Sequence, residues 1–176
     1  MACIAIGIGA MTAHATKSGA QAEVPEEWPV GSNLPHHGVT VMMFVHPECP
    51  CTRASLASLA TAVGDHTNAT ITIVASGPMN DIAEHLVSSV RGARVVVDRD
   101  GKEAARFGAK TSGHVVAYDE DGHLAFAGGI TAARGHIGPN MGAASVASII
   151  AGAKPFTASR DVFGCSLREE HPTGVD

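Results

Sequence analysis

The sequence predicts an α/β domain built around a central mixed sheet flanked by helices, and three observations carry this prediction. Short apolar or β-branched runs alternate with amphipathic runs, which is the order of strands and helices that gives a parallel sheet. An Asp-Gly turn at 119–122 adds an antiparallel hairpin to that sheet. Two cysteines, Cys49 and Cys51, lie where the first strand is expected to end and the first helix to begin.

The first strand and helix enclose these cysteines. The run at 39–45 is apolar without alternation, so we expect a strand that is buried on both faces. Leu56, Leu59 and Val63 then fall three and four residues apart, which is the spacing of one helix face, and they predict a helix over 52–63.

The next elements continue the alternation. The β-branched run at 69–75 predicts a second strand. A helix over 80–90 follows, capped by Asn80 or Asp81. Its apolar face is predicted to consist of residues spaced four apart, namely Ile82, Leu86 and Val90.

The second half of the chain is predicted to complete the sheet. The expected elements are strands over 94–97, 114–118 and 124–127, a short helix over 102–107 and a last helix over 143–151. A glycine-rich loop over 128–142 separates the hairpin from the last helix, and glycine there permits a close approach between backbones. The chain after residue 154 shows no periodicity.

Length and composition limit the class of protein. The 176 residues suggest one domain with extensions, which we place at 1–24 (an N-terminal leader), 25–167 (the domain) and 168–176 (a C-terminal tail). A net charge of −5 and only 4% aromatic residues give no footprint for nucleic acid. Four cysteines, of which Cys3 lies in the leader, are too few for a disulfide scaffold.

The leader is apolar over 2–11, which is shorter than the roughly 20 residues that cross a bilayer. No lysine or arginine precedes this run, as it would in a complete signal peptide. We interpret the leader as the remainder of a longer signal or membrane anchor, or as a weak signal peptide. Either interpretation predicts an extracytoplasmic protein that associates with a membrane through its N-terminus or is released from it.

The Cys-Pro-Cys segment has the chemistry of a reactive site. The first backbone N–H groups of a helix have no partner within the helix, and the helix dipole is positive there. Both effects stabilise a thiolate and lower the pKa of a cysteine at that position. The segment therefore supplies the parts of a dithiol redox site or of a soft-metal site.

The order of elements, with cysteines at the start of the first helix, resembles the thioredoxin fold. The segment 44–51 looks like the thioredoxin active-site segment with one residue fewer between the cysteines. Over about residues 28–167 the chain more closely resembles the bacterial RedB-type thioredoxin-like proteins. The motifs that carry this resemblance are His-Pro-Glu-Cys-Pro-Cys-Thr-Arg-Ala-Ser-Leu at 46–56, Phe-Gly-Ala-Lys-Thr-Ser-Gly-His-Val at 107–115, Gly-Gly-Ile-Thr-Ala-Ala-Arg-Gly-His at 128–136 and Val-Phe-Gly-Cys at 162–165.

The resemblance implies a thiol–disulfide oxidoreductase that faces outward, acts on protein thiols or disulfides and needs no cofactor. Two departures from ordinary thioredoxins weaken that implication. The cysteines are separated by one residue instead of two, and Ser112-Gly113 stands where thioredoxins carry a cis-proline opposite the cysteines. Loss of the proline removes a docking point for the substrate backbone and opens space beside the sulfurs.

In the redox hypothesis Cys49 is the more exposed, attacking thiolate, and Cys51 is the resolving thiol, shielded by Leu56. Cys165 is either a third active thiol or a buried apolar residue. Charge or proton exchange from His46 and Arg53 would assist the thiolate. The residues predicted to line the site are His46, Arg53, Thr111, Ser112, Gly113, Arg134, His136 and Asn140.

Two other hypotheses remain open at this point. Thiolate and imidazole are ligands suited to Cu(I) or Zn, so the chain could bind or deliver such a metal. The candidate ligands are Cys49, Cys51, His46, His136 and Cys165. The third hypothesis is a thioredoxin-like interaction module without catalysis.

Overall fold

The structure is a computed structural model, and it describes residues 15–66 and 68–168. Nearly every element follows the sequence prediction to within two residues at each end. The elements are β1 (Thr40–Val45), α1 (Thr52–Val63), β2 (Thr70–Ala75), α2 (Asp81–Ser88), β3 (Arg94–Val97), α3 (Lys102–Arg106), β4 (His114–Tyr118), β5 (Leu124–Gly129), α4 (Met141–Ile150) and β6 (Ser159–Arg160).

The six strands form one sheet in the order β3-β2-β1-β4-β5-β6. Strand β1 lies inside the sheet, where it pairs in parallel with β2 and antiparallel with β4. The hairpin predicted from the Asp-Gly turn is the antiparallel pair of β4 and β5. The mixed sheet predicted from the sequence is therefore confirmed, and the segment after β1 leaves the sheet near its centre, at the carboxyl end of a strand.

Two apolar layers cover the sheet. Val41 and Met43 of β1 point into a cluster with α1, α2 and α4, whereas Met42 and Phe44 point to the opposite face. That second face is closed by Ala104 of α3 and by residues before β1 and after β6. All six residues of β1 are buried, as the absence of alternation predicted.

The apolar face predicted for the helix over 80–90 is confirmed for Leu86 and Val90, which pack against the core, and wrong for Ile82. Ile82 is 59% exposed, while Ala83 and Val87 are the residues of α2 that are buried. Asn80 caps the helix by accepting a hydrogen bond from the Ala83 N–H at 2.9 Å, and this start rotates the 83/87 side of the helix towards the sheet. Ile82 therefore faces a surface cavity beside the cysteines.

Two chain segments outside the predicted elements also pack on the domain. Strand β6, which the sequence did not predict, pairs in parallel with β5. The described part of the predicted leader, residues 15–24, also lies against the domain: the Gly19 N–H donates to the Val162 carbonyl at 2.8 Å and the Ala22 N–H to the Gly108 carbonyl at 3.1 Å.

The remaining N-terminal and C-terminal predictions fall outside the described residues. These are the apolar run at 2–11, Cys3 and all of the predicted tail except Arg168. Within residues 15–66 and 68–168, no helix has the length and apolar character needed to cross a membrane.

Asn140 provides a first test of this architecture. Its Oδ1 caps α4 by accepting from the Ala143 N–H at 2.9 Å, and its Nδ2 donates to the Ile130 carbonyl at 2.7 Å. Asn140→Ala removes both, so we expect the free energy of unfolding in urea to fall by about 2 kcal/mol. Asn80→Ala is the matched control because it removes chiefly a cap, at a cost of about 1 kcal/mol. Equal losses would show that the bond to Ile130 contributes nothing.

Candidate functional site

The Cys-Pro-Cys segment is held by the start of α1. The Thr52 N–H donates to the Cys49 carbonyl at 3.0 Å, and the Ser55 N–H donates to the Cys51 carbonyl at 3.1 Å. Cys51 is the N-cap residue of α1, and its side chain makes no capping hydrogen bond. Its backbone N–H is therefore one of the outward-facing donors of a helix N-terminus, and Cys49 lies two residues before it.

Cys165 joins these two cysteines from the far end of the chain. The Sγ atoms of Cys49 and Cys165 lie 3.0 Å apart, and all three cysteines carry free thiols. The prediction that Cys49 is the more exposed of the pair is wrong, because Cys49 is 5% exposed and Cys51 is 9% exposed. The reason is the segment around Cys165, which lies directly against the Cys49 sulfur.

The surroundings separate the pKa values of the three thiols. Burial raises the pKa of Cys49, but hydrogen bonds from Cys165 and from the backbone N–H of Cys51 outweigh it, and the net pKa is lowered. Burial and the Cys49 charge raise the pKa of Cys51. Burial, together with the contact with Cys49, raises the pKa of Cys165 to about 11. Cys49 is therefore the thiol that ionises first, stabilised by the other two.

Ser112, at the position where thioredoxins carry a proline, ties the cysteine segment to the sheet. Its Oγ accepts a hydrogen bond from the His46 N–H at 2.9 Å and lies 3.2 Å from Thr52 Oγ1. Thr52 Oγ1 donates in turn to the His46 carbonyl at 2.9 Å. Since Thr52 has only one hydroxyl proton, the Ser112 hydroxyl is the donor to Thr52. Sequence reasoning missed Thr52, although its place directly after Cys51 marks the first turn of α1.

Gly113 fits closely beneath the helix. Its φ is +90°, and a Cβ there would lie 2.7 Å from the Ser55 side-chain oxygen. Its N–H donates to the Phe44 carbonyl at 2.8 Å, which continues the β1–β4 pairing. A residue other than glycine would strain the backbone and displace the Ser55 hydroxyl, so this position under α1 requires glycine. Thr111 is buried beside it, and its hydroxyl donates to the Ala20 carbonyl at 2.7 Å.

The glycine-rich loop contributes a charge to the site. The Arg134 guanidinium lowers the pKa of both Cys51 and Cys165, and the Gly135 N–H lowers the pKa of Cys51. Arg134 also lines a cavity of about 600 Å³ that contains Cys165. Of this loop, Arg134 and Gly135 therefore act on the thiols.

The other predicted flanking residues lie farther from the sulfurs or act differently. Arg53 is exposed and lines a cavity of about 370 Å³ that reaches Cys49. His46 Nδ1 accepts a hydrogen bond from the Glu48 N–H at 3.3 Å. His136 is exposed and lines neither of these two cavities. Asn140 does not line the site, because both ends of its amide are engaged at the start of α4.

The ligand set of the metal hypothesis is not assembled. In the described part of the chain, the three thiols and the two imidazoles give no group of three ligand atoms that all lie within 4.8 Å of one another. The shortest contact between these groups is the 3.0 Å between the sulfurs of Cys49 and Cys165. That arrangement favours exchange between two thiols over shared coordination of an ion.

Comparison with known proteins shows which fold this site belongs to. No protein-family model matches the chain, and no curated protein matches it in sequence. Among solved structures, an uncharacterised conserved protein of Geobacillus kaustophilus is similar over 90% of this chain and 95% of its own, at 17% identity and a TM-score of 0.62. A hypothetical protein of Sinorhizobium meliloti is similar over 86% and 93%, at 18% identity and a TM-score of 0.61.

A third similar structure is a secreted disulfide oxidoreductase of Mycobacterium tuberculosis. It matches 51% of this chain and 67% of its own, at 24% identity and a TM-score of 0.42. The first two similarities extend over nearly the whole of both chains, so they show a shared fold. The thioredoxin-like α/β fold predicted from the sequence is confirmed, with the two neighbouring cysteines at the junction of its central strand and first helix.

Proposed function

We propose that this protein is a thiol–disulfide oxidoreductase in which Cys49 is the attacking thiolate. The observation that carries the proposal is the contact between Cys49 and Cys165, because it lowers the pKa of one thiol while the pKa of its partner is raised. A thiolate attacks a disulfide and a thiol does not, so this difference assigns the first step to Cys49.

The surrounding structure supports the same chemistry. Burial of Cys49 keeps bulk water from the sulfur, and the backbone N–H groups that face it supply the stabilisation that water would otherwise give. The cavity lined by Pro47, Pro50 and Ile82 offers an apolar surface next to Cys49 on which a partner protein can rest. The protein's own sulfurs carry the electrons, so the proposed reaction uses no cofactor.

The finer features of the proposal extend the sequence analysis. We assign the protein to an extracytoplasmic compartment, where disulfides persist, with protein thiols or disulfides as its partners. Association with a membrane would come from the N-terminal segment. Within the thioredoxin-like proteins, the four motifs quoted above favour the RedB type.

Thiol counting tests the proposal directly. The purified protein would be prepared reduced and mildly oxidised, alkylated and weighed by mass spectrometry, with metal analysis of the same sample. We expect two fewer alkylated thiols after oxidation, no stoichiometric metal, and preferential alkylation of Cys49 in the reduced protein at neutral pH.

Two results would contradict the proposal. A stoichiometric bound metal with unreactive thiols would indicate metal binding. An intact fold with no metal and no oxidisable pair would indicate an interaction module.

A further inference from the structure

The segment 162–168, which we name the C-terminal strap, is irregular apart from one bridge and lies along residues 110–112, beside the cysteines. The Ser112 N–H donates to the Cys165 carbonyl at 2.8 Å, and the Leu167 N–H donates to the Lys110 carbonyl at 2.9 Å. Between these two bonds, Thr111 and Ser166 form an antiparallel bridge. The strap therefore satisfies the backbone groups of 110–112, an edge that would otherwise be open to another extended chain.

The strap is anchored on both sides of Cys165. Val162 is fully buried and Leu167 is 4% exposed, the latter within the apolar layer that contains Phe44. Gly164 is buried between them, and a Cβ at this position would overlap the carbonyl oxygen of Ser112. Only glycine lets the strap lie this close, so the Phe-Gly-Cys sequence sets the position of the Cys165 sulfur.

Two glycines of β5 also let the C-terminal part of the chain pack closely against the sheet. A Cβ on Gly128 or on Gly129 would overlap the backbone of residues 160–162, where the strap begins. The chain thus uses three glycines to bring its C-terminal region against the sheet and the cysteines. A segment held so closely is suited to presenting one atom at a fixed place.

That atom is the Cys165 sulfur, 3.0 Å from Cys49 Sγ. A disulfide bond is about 2.05 Å long, so a shift of about 1 Å converts the contact into a bond. A bond between Cys49 and Cys51 would instead close a ring across a single residue, which is strained. The geometry favours Cys165 as the second sulfur.

We propose that Cys165 is the resolving thiol of this protein, held beside Cys49 by a C-terminal strap that is anchored on the edge at 110–112. This inference rests on the proposed function and replaces the assignment of Cys51 as the resolving residue. The substrate class is a disulfide of another protein, which would reach Cys49 from the cavity of about 370 Å³ beside it.

The proposed disulfide exchange takes place in two steps. The Cys49 thiolate attacks one sulfur of the substrate disulfide, a mixed disulfide forms, and the other substrate sulfur leaves as a thiolate that takes a proton from water. Cys165 then loses its proton to water and attacks Cys49 Sγ, the mixed disulfide breaks, and the second substrate sulfur leaves. The substrate gains two electrons and becomes a dithiol, while the protein is oxidised to a Cys49–Cys165 disulfide. A partner dithiol reverses both steps.

The charges around the thiols explain why Cys49 reacts first and Cys165 second. Apart from burial, the pKa of Cys165 is raised by its hydrogen bond to Cys49, by the Cys49 charge and by the Cys51 charge, while Arg134 lowers it. Once Cys49 is part of a mixed disulfide, its charge is gone and the influence of Arg134 remains. Cys165 therefore becomes a better nucleophile only after Cys49 has reacted.

Variants of the full chain in which one cysteine is replaced by serine test the inference. Reduced Cys165→Ser and Cys51→Ser would be mixed with a peptide that carries one intramolecular disulfide, quenched with acid and weighed. We expect Cys165→Ser to retain the peptide on Cys49 at a level on the order of tenfold above the native chain, because resolution loses its positioned nucleophile. Cys51→Ser should release the peptide and form the Cys49–Cys165 disulfide, identified by peptide mapping.

A second pair of variants keeps all three thiols. Gly164→Ala displaces the strap and should slow release of the peptide, whereas Gly77→Ala, which has open space around the added methyl group, should not. Accumulation in Cys51→Ser but not in Cys165→Ser would overturn the inference and leave the proposed function standing. Absence of any mixed or internal disulfide in all of these proteins would overturn both.

Discussion

Replacement of Cys49 by serine should reduce disulfide exchange to the uncatalysed background, the largest effect of any single substitution in the chain. A hydroxyl cannot form a disulfide, and burial, the largest cause that raises the pKa of Cys51 and of Cys165, persists in the variant. The measurement is the rate at which the reduced protein opens a peptide disulfide, followed by mass spectrometry. The same variant should lose the alkylation component that titrates below the ordinary pKa of a cysteine.

Cys3→Ser is the matched control, since it makes the same chemical change outside the described residues and outside the proposed site. It should exchange disulfides at the native rate. Thermal unfolding of Cys49→Ser shows whether the fold is retained, because burial of a hydroxyl in place of a thiol costs about 1–3 kcal/mol. Substantial exchange by a folded Cys49→Ser protein would remove Cys49 from its role as the attacking thiolate.

The sequence sufficed for those parts of the site that depend on local pattern. Helix α1 begins at the predicted residue because the apolar spacing after Cys51 extends over three turns. The strand before it was identifiable because an apolar run without alternation is buried on both faces. Together these two elements are enough to place the cysteines at a helix N-terminus from the sequence.

Contacts between distant segments were not predictable in the same way. Cys165 lies 116 residues after Cys49, in a stretch without periodicity, and no local pattern indicates what such a segment packs against. The same limitation explains the exposure of Cys49, since the residues that cover it belong to the strap. The positive charge shows the same limitation: Arg53 was the nearer candidate along the chain, yet the charge that acts on Cys51 and Cys165 is that of Arg134.

The glycines were the signal that could have revealed the strap. A glycine pair at the end of β5 and a glycine directly before Cys165 both indicate close approach of backbones, and the structure joins these two regions through β6. The residue type at position 112 is also related to the strap. The Ser112 N–H holds the strap, and a proline at that position has no N–H to donate, so the departure from the thioredoxin pattern and the presence of the strap are linked.

His114 is the origin of the second large effect, on stability. It opens β4, two residues after Ser112, and is fully buried. Neither ring nitrogen has a hydrogen-bond partner among the described residues. Burial lowers the pKa of His114 to about 4, so the folded protein holds the ring neutral over most of the pH range.

Acidification should therefore destabilise the protein well before its carboxylates titrate. Below pH 6.5 the unfolded chain binds a proton at His114 that the folded chain does not accept until about pH 4. Stability is thus complete above pH 6.5 and declines as the pH falls through this window. We expect the free energy of urea unfolding to drop by about 2 kcal/mol between pH 7.5 and pH 5 from this residue alone. His114→Phe should remove that component, and parallel pH profiles for the two proteins would contradict the assignment to His114.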